Sequence, residues 1–169
     1  MNLARLVLLP QTLNIKSFCM SIEKDINQKK FRNEHQKAII NLIYTYNWVT
    51  EQSKAFFDKE DITAQQFNIL RILRGAGQPL STLQIRQRML DKMSDTSRIV
   101  DRLVIKGHVK KVVCKSDKRL VDVSITEKGR KLLEKIDKHE DEMDAIAGNL
   151  TEADAKTLNK LFDKLRNSD

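Results

Sequence analysis

Between Ser81 and Leu120 the chain reads STLQIRQRMLDKMSDTSRIVDRLVIKGHVKKVVCKSDKRL. This stretch carries eleven Lys and Arg against four Asp, a net +7 of the +8 borne by all 169 residues. Its first part has a helical period. Ser81 or Thr82 stands at the cap, Leu83, Ile85, Met89 and Leu90 are expected to turn inward, and Gln84, Arg86, Gln87 and Arg88 are left mostly outside. A short turn at residues 92–94 follows, and then Ser94 or Asp95 can cap a second helix. There Ile99, Val100, Leu103 and Val104 form one stripe, while Asp95, Arg98, Arg102 and Lys106 lie at three- and four-residue steps on the other side. Gly107 supplies a left-handed stop.

After Gly107 the period changes to two. Val121, Val123 and Ile125 alternate with Asp122 and Ser124, the pattern of a half-buried strand, and residues 108–114 make its less regular antiparallel partner. Lys115, Ser116, Asp117, Lys118 and Arg119 form a basic tip between them. Two short helices, a glycine stop and a basic hairpin have the layout of a winged helix-turn-helix.

Long helices are expected on either side. From about Asp25 to Lys59, Phe31, Ile39, Leu42, Ile43, Tyr46, Val49, Phe56 and Phe57 mark one face of a single long helix. A small domain cannot cover all of it, so its surplus apolar length calls for a second surface, most simply a symmetric partner chain; a core helix with one wide face is the plainer alternative. Thr63 is placed to cap a helix carrying Phe67, Ile69, Leu70, Ile72 and Leu73, ended by Gly75, Gly77 and Pro79. Thr126 caps another, read as continuous through Leu132, Leu133, Ile136, His139, Met143, Ile146 and Ala147, with Glu134, Asp137, Asp141, Glu142 and Asp144 on its outer face. Thr151 and Asp154 make a capping-box variant before a last helix with Leu158, Leu161, Phe162 and Leu165 on one side.

Bulk properties narrow the function classes. A pI near 9.5 favours an anionic partner: nucleic acid, membrane headgroups or acidic protein. Cys19 and Cys114 form no metal-type spacing and no disulfide framework, which leaves reduced thiols and a cytoplasmic location as the default. The apolar run Leu6–Leu9 is too short for a signal core or a bilayer span. Residues 1–19 read as an upstream extension from a misassigned start or as a disordered tail, with Met20 opening an ordinary polar segment.

Binding a duplex requires neutralised phosphates and access to base edges. Ser94, Asp95, Thr96 and Ser97 are short side chains at a helix start, where backbone N–H groups attract phosphate. Arg98 and Arg102 reach further, and either could fork onto guanine; taken alone, the pair could equally be a solvated basic face. In the hairpin tip, Asp117 can hold the turn and orient Arg119 toward a narrow minor groove, with Lys118 beside them.

The runs LQIRQRMLDKMSDTSRIVDRLVIKGHVKK (residues 83–111) and SDKRLVDVSITEKGRKLL (residues 116–133) resemble the MarR family of bacterial transcriptional regulators. The resemblance covers about Phe31 to Leu165 and is sharpest in the D-x-R of the wing and the T-E-K-G after it. It implies a mainly α fold with a small β-hairpin wing, a winged helix-turn-helix at 61–126, and long terminal dimerisation helices at 24–60 and 127–169. Residues 81–90 then match the first helix of the helix-turn-helix, Asp95–Lys106 the recognition helix, and Asp117 and Arg119 the wing pair. The expected DNA contacts are Ser81, Thr82, Ser94, Asp95, Thr96, Ser97, Arg98, Arg102, Asp117, Lys118 and Arg119. The resemblance further implies a homodimer on a pseudo-palindromic double-stranded DNA operator and a repressor released by a small effector or by oxidation; a small aromatic effector is the ligand to test, and no membrane partner is expected from the lack of a long apolar run. Oxidation-sensing members carry a cysteine in the first long helix, and this chain has none there; Cys114, near Lys111 and Lys115, is the residue a redox-responsive alternative would use. His35, His108 and His139 are too far apart in sequence for a zinc site, and no cofactor is expected. Tyr44, Tyr46 and Trp48 could line an aromatic pocket or simply pack. No nucleophile–base pair, paired carboxylates or phosphate loop supports an enzyme, while a regulator acting through protein partners and the acidic helix remains a distinct alternative.

Overall fold

The computed structural model describes residues 21–113 and 121–167. It is mainly helical with a small three-stranded antiparallel sheet, and it divides into two units, Met1–Thr45 and Tyr46–Asp169.

In the first unit, the expected helix from Asp25 is not continuous. A four-residue helix α1 (Ile22–Asp25) closes at Asn27, which takes a left-handed φ of 52° while the Gln28 N–H reaches back to the Glu23 carbonyl. The long helix α2 (Glu34–Asp58) starts only after Asn33, whose Oδ1 accepts the Gln36 N–H at 2.9 Å. The Gln36 side chain in turn accepts the Arg32 N–H at 2.7 Å. These two bonds fix the helix start, so Phe31 lies outside the helix. Lys37 pairs with Glu23 at 2.5 Å and lies over the Phe31 ring.

The second unit is built on local signals that the structure satisfies. Thr63 and Gln66 form a capping box at α3 (Ala64–Ala76), and Gly77 ends it in a left-handed conformation. Ser81 and Gln84 form another at α4 (Thr82–Arg88). The second helix of the pair is α5 (Thr96–Ile105), capped by Asp95. Strands β2 (Val109–Val113) and β3 (Val121–Ile125) pair antiparallel with Val109 opposite Ile125 and Val113 opposite Val121. A two-residue strand β1 (Leu80–Ser81), absent from the sequence reading, adds to the other edge of β3, giving the order β1-β3-β2. Two residues are too few to show a period.

The core joins Ile69, Leu70 and Leu73 of α3 with Leu80, Ile85, Met89, Val100, Leu103, Val109, Val123 and Leu133, all buried. Leu83 and Leu90, expected inside, are exposed; α4 is so short that Ile85 and Met89 alone fill its inward side. A second cluster gathers Phe56, Phe57, Ile62 and Ile136.

The long helix expected after Thr126 is broken. α6 (Glu127–Asp137) ends at Lys138, α7 (Glu140–Asp144) follows, and a 3-10 turn spans Ala145–Ala147. No proline or glycine causes the break. Met143 packs against the Phe56–Phe57 cluster and Glu142 bonds Lys59 at 2.6 Å, contacts that belong to the redirected segment. The last helix, α8 (Glu152–Arg166), has the Thr151–Asp154 capping box and buries no residue of its own.

Candidate nucleic-acid interface

Tertiary packing fixes which way α5 faces. Val100 and Leu103 are buried in the core, so Arg98, Asp101, Arg102 and Ile105 are turned outward and exposed. At the C-terminal end, the Gly107 N–H bonds the Val104 carbonyl and the His108 N–H bonds that of Leu103, both at 2.9 Å. That closure needs the left-handed φ of 74° at Gly107. It turns the chain directly into β2. The Thr126 hydroxyl then donates toward the Gly107 and His108 carbonyls at 2.7 and 3.0 Å, tying the start of α6 to the same junction.

Gly129 explains the last letter of the T-E-K-G run. A Cβ there would collide with the His108 carbonyl oxygen and come within 2.9 Å of Ile125 Cγ1. His108 itself is only 8 % exposed, and its Nδ1 has no hydrogen-bond partner among the described residues. Burial, followed by the nearby Lys128 and Lys106 charges, pushes its pKa below the ordinary histidine value.

The turn between α4 and α5 is organised by Asp91. Its Oδ1 accepts the Met93 N–H at 3.0 Å, and its carbonyl accepts the Ser94 hydroxyl at 2.8 Å. Asp95 then plays two parts: Oδ1 accepts the Arg98 N–H at 3.2 Å as the helix cap, and Oδ2 pairs with Arg98 Nε at 3.2 Å. One donor at this helix start is therefore filled by a carboxylate that would repel phosphate.

Each described residue expected from sequence to touch DNA has a definite environment. Ser97, Arg98 and Arg102 share the exposed side of α5, with Asp95 at its start. Thr96 does not join them; it is 3 % exposed and faces the interior. Ser81 and Thr82 are half-buried at the start of α4, where the Ser81 hydroxyl is already engaged by the Gln84 N–H at 3.2 Å. Lys106, grouped with the outward cations in the sequence reading, is instead folded onto Asp61, with Nζ 3.0 Å from Oδ2. Asp117, Lys118, Arg119 and Cys114 lie outside the described residues.

Two features were missed from sequence. Ile105 is 85 % exposed and lies two helical turns from Arg98 on the same side; the helical period gives its position, but its apolar character points inward. Lys111 on β2 pairs with Asp101 on α5, joining helix and wing across ten residues. Among the described residues, Arg102 makes no ion pair, so its guanidinium is uncommitted there. No group of three or more His, Cys, Asp or Glu able to hold a metal occurs among the described residues. A small cavity of about 80 Å³ lies away from α5, lined by Phe56, Lys59, Glu60, Ile136, His139 and Glu142.

Comparison with known proteins agrees with this arrangement. A model of the MarR family matches residues 60–120. The multiple antibiotic resistance protein MarR of Salmonella typhimurium is 30 % identical over 107 residues, 62 % of this chain and 74 % of that protein. Among solved structures, a mutant MarR from E. coli complexed with operator DNA superposes with a TM-score of 0.73 at 25 % identity, covering 82 % of this chain and 99 % of that one. BpsR of Bordetella bronchiseptica, whose DNA binding is regulated by 6-hydroxynicotinic acid, has the same fold, with a TM-score of 0.68 at 21 % identity over 78 % of this chain and 99 % of its own. With the winged helix-turn-helix geometry and these matches together, the chain belongs to the MarR family of transcriptional regulators.

Proposed function

We propose that the chain is a cytoplasmic repressor that binds double-stranded DNA as a homodimer at a pseudo-palindromic operator and is released by a small aromatic effector. The observation that carries this reading is the outward face of α5, where Arg98 and Arg102 are exposed beside Ser97 while the opposite side is locked into the core. A helix held this way can enter a major groove without rearrangement, and each arginine can fork onto a guanine O6 and N7. Ser94 and Ser97 are short enough to permit close approach to phosphates. Ser81 and Thr82 would meet the backbone from α4, and Asp117, Lys118 and Arg119 would carry the wing into the neighbouring minor groove.

Dimerisation is supported by apolar side chains that the chain leaves uncovered. In α8, Leu158, Leu161 and Leu165 are exposed, and along α2 so are Ile39, Ile43, Tyr46 and Trp48. Among the described residues, no helix is long and apolar enough to cross a membrane, so a bilayer-spanning helix there does not account for these faces. The operator complex of the E. coli relative supports the choice of DNA as partner, and the 6-hydroxynicotinic acid dependence of BpsR suggests aromatic acids as first effectors to try.

A gel-shift titration against a duplex selected by the purified chain from a random library tests the reading. Arg98→Ala and Arg119→Ala are each expected to weaken binding roughly tenfold or more, as loss of a forked base contact or a groove arginine would. Unchanged affinity in both variants contradicts the site.

A further inference from the structure

The pairing of Asp95 with Arg98 has a geometry that goes beyond helix capping. Because Oδ1 is fixed by the Arg98 backbone N–H at 3.2 Å, the carboxylate cannot rotate freely, and Oδ2 is presented to the Arg98 side chain at 3.2 Å. It meets Nε, on the inner edge of the guanidinium. The terminal Nη pair, the edge that forks onto guanine, is left unengaged by Asp95. An arginine side chain on an open helix face samples many rotamers, and ordering it on binding costs affinity. Here the side chain is 81 % exposed, yet one of its two donor edges already faces a carboxylate oxygen in an ion pair.

We propose that Asp95 is a positioning residue for sequence readout: its ion pair with Nε biases Arg98 so that its Nη edge meets a guanine with little further ordering, and it sharpens base preference at a small cost in affinity for DNA in general. This rests on the DNA-binding reading above. Electrostatics separates the two contributions. A carboxylate at the groove-facing end of α5 repels phosphates, so it weakens binding to any duplex while it sharpens the choice among duplexes. Helix capping alone would do neither; losing a cap lowers binding to all sequences in parallel through loss of α5.

Asp95→Asn is the informative variant. Asparagine has the same shape and is as good a cap, but with Oδ1 on the backbone N–H its Nδ2 presents a donor to the Nε donor of Arg98. Asp95→Ser is the second variant, keeping a cap with no group near Nε. Both are compared with the wild-type full chain for thermal melting, then titrated by fluorescence anisotropy against the library-selected duplex, the same duplex with each guanine replaced in turn, and a random duplex. The expected result is unchanged melting, random-duplex affinity equal to wild type or raised about two- to threefold, and a roughly tenfold loss of discrimination at one guanine per half-site. Arg98→Ala should abolish discrimination at that same guanine. If Asp95→Asn and Asp95→Ser keep the wild-type discrimination, or lower selected and random binding by the same factor, Asp95 is only a cap and the proposal is overturned. If the wild-type chain itself does not distinguish selected from random duplex, the DNA-binding reading fails, and this inference with it.

Discussion

Gly129 and Gly75 are chemically identical and have opposite expected responses to a methyl group. At Gly129 the methyl meets the His108 carbonyl and Ile125, so α6 must move off the sheet, and Gly129→Ala should cost about 1–3 kcal/mol and lower the melting temperature. At Gly75 nothing lies within 4 Å, and Gly75→Ala in α3 should stabilise by up to about 1 kcal/mol. Denaturant unfolding of both variants checks the pair. His108 supplies a pH dependence. Buried and faced by Lys106 of the α5 cap and Lys128 of α6, with Asp61 opposing them more weakly, it stays neutral in the fold to a lower pH than in the unfolded chain. As pH falls below about 6.5 the unfolded state takes up this proton first, so stability is lost between that pH and the lower folded value. Unfolding at pH 7.5 and 5.5 should show this loss, and His108→Leu should reduce it. Such residue-level features were only partly legible. The caps at Thr63, Asp95, Thr126 and Thr151 could be read because a cap is a local pattern. The burial of Thr96 and the return of Lys106 to Asp61 could not, since each depends on tertiary packing and not on a local pattern.

At the scale of elements, the helix-turn-helix and hairpin were legible because their periods are short, and a core that buries Ile85, Val100, Leu103 and Val123 follows from them. The start of α2 could have been read as well, since Asn33 and Gln36 have capping-box spacing, but the apolar pattern upstream concealed it. The break after α6 carried no sequence mark; contacts of Met143 and Glu142 with the end of α2 accompany it. What holds α6 against α3 includes a forked ion pair, Arg74 Nη1 and Nη2 on the two Asp137 oxygens at 2.5 and 3.1 Å, which also raises the Arg74 pKa. Both side chains are about one-third exposed, so the pair is screened. Arg74→Ala should therefore destabilise by only about 1 kcal/mol, and the gap from wild type should shrink in high salt, as read by urea midpoints.

For the whole molecule, the uncovered leucines of α8 are the feature a single chain leaves unexplained. If they bury against a second copy, Leu161→Glu places a charge in that contact and should shift sedimentation toward monomer, with operator affinity falling along with it while the winged core stays folded. The MarR-family match and the fold were foreshadowed by the 83–111 and 116–133 runs, whereas the dimerisation proposed for the terminal helices rests on surplus apolar surface alone. The claim that joins residue, element and assembly is that two α5 helices engage successive major grooves together, one helical turn apart. It is tested most directly by measuring affinity for duplexes in which the spacing between selected half-sites is changed. Binding should be tightest with half-site centres about one turn apart and should fall steeply when about five base pairs are inserted, which carries one site to the opposite side of the helix. Affinity that does not change with this insertion contradicts the account.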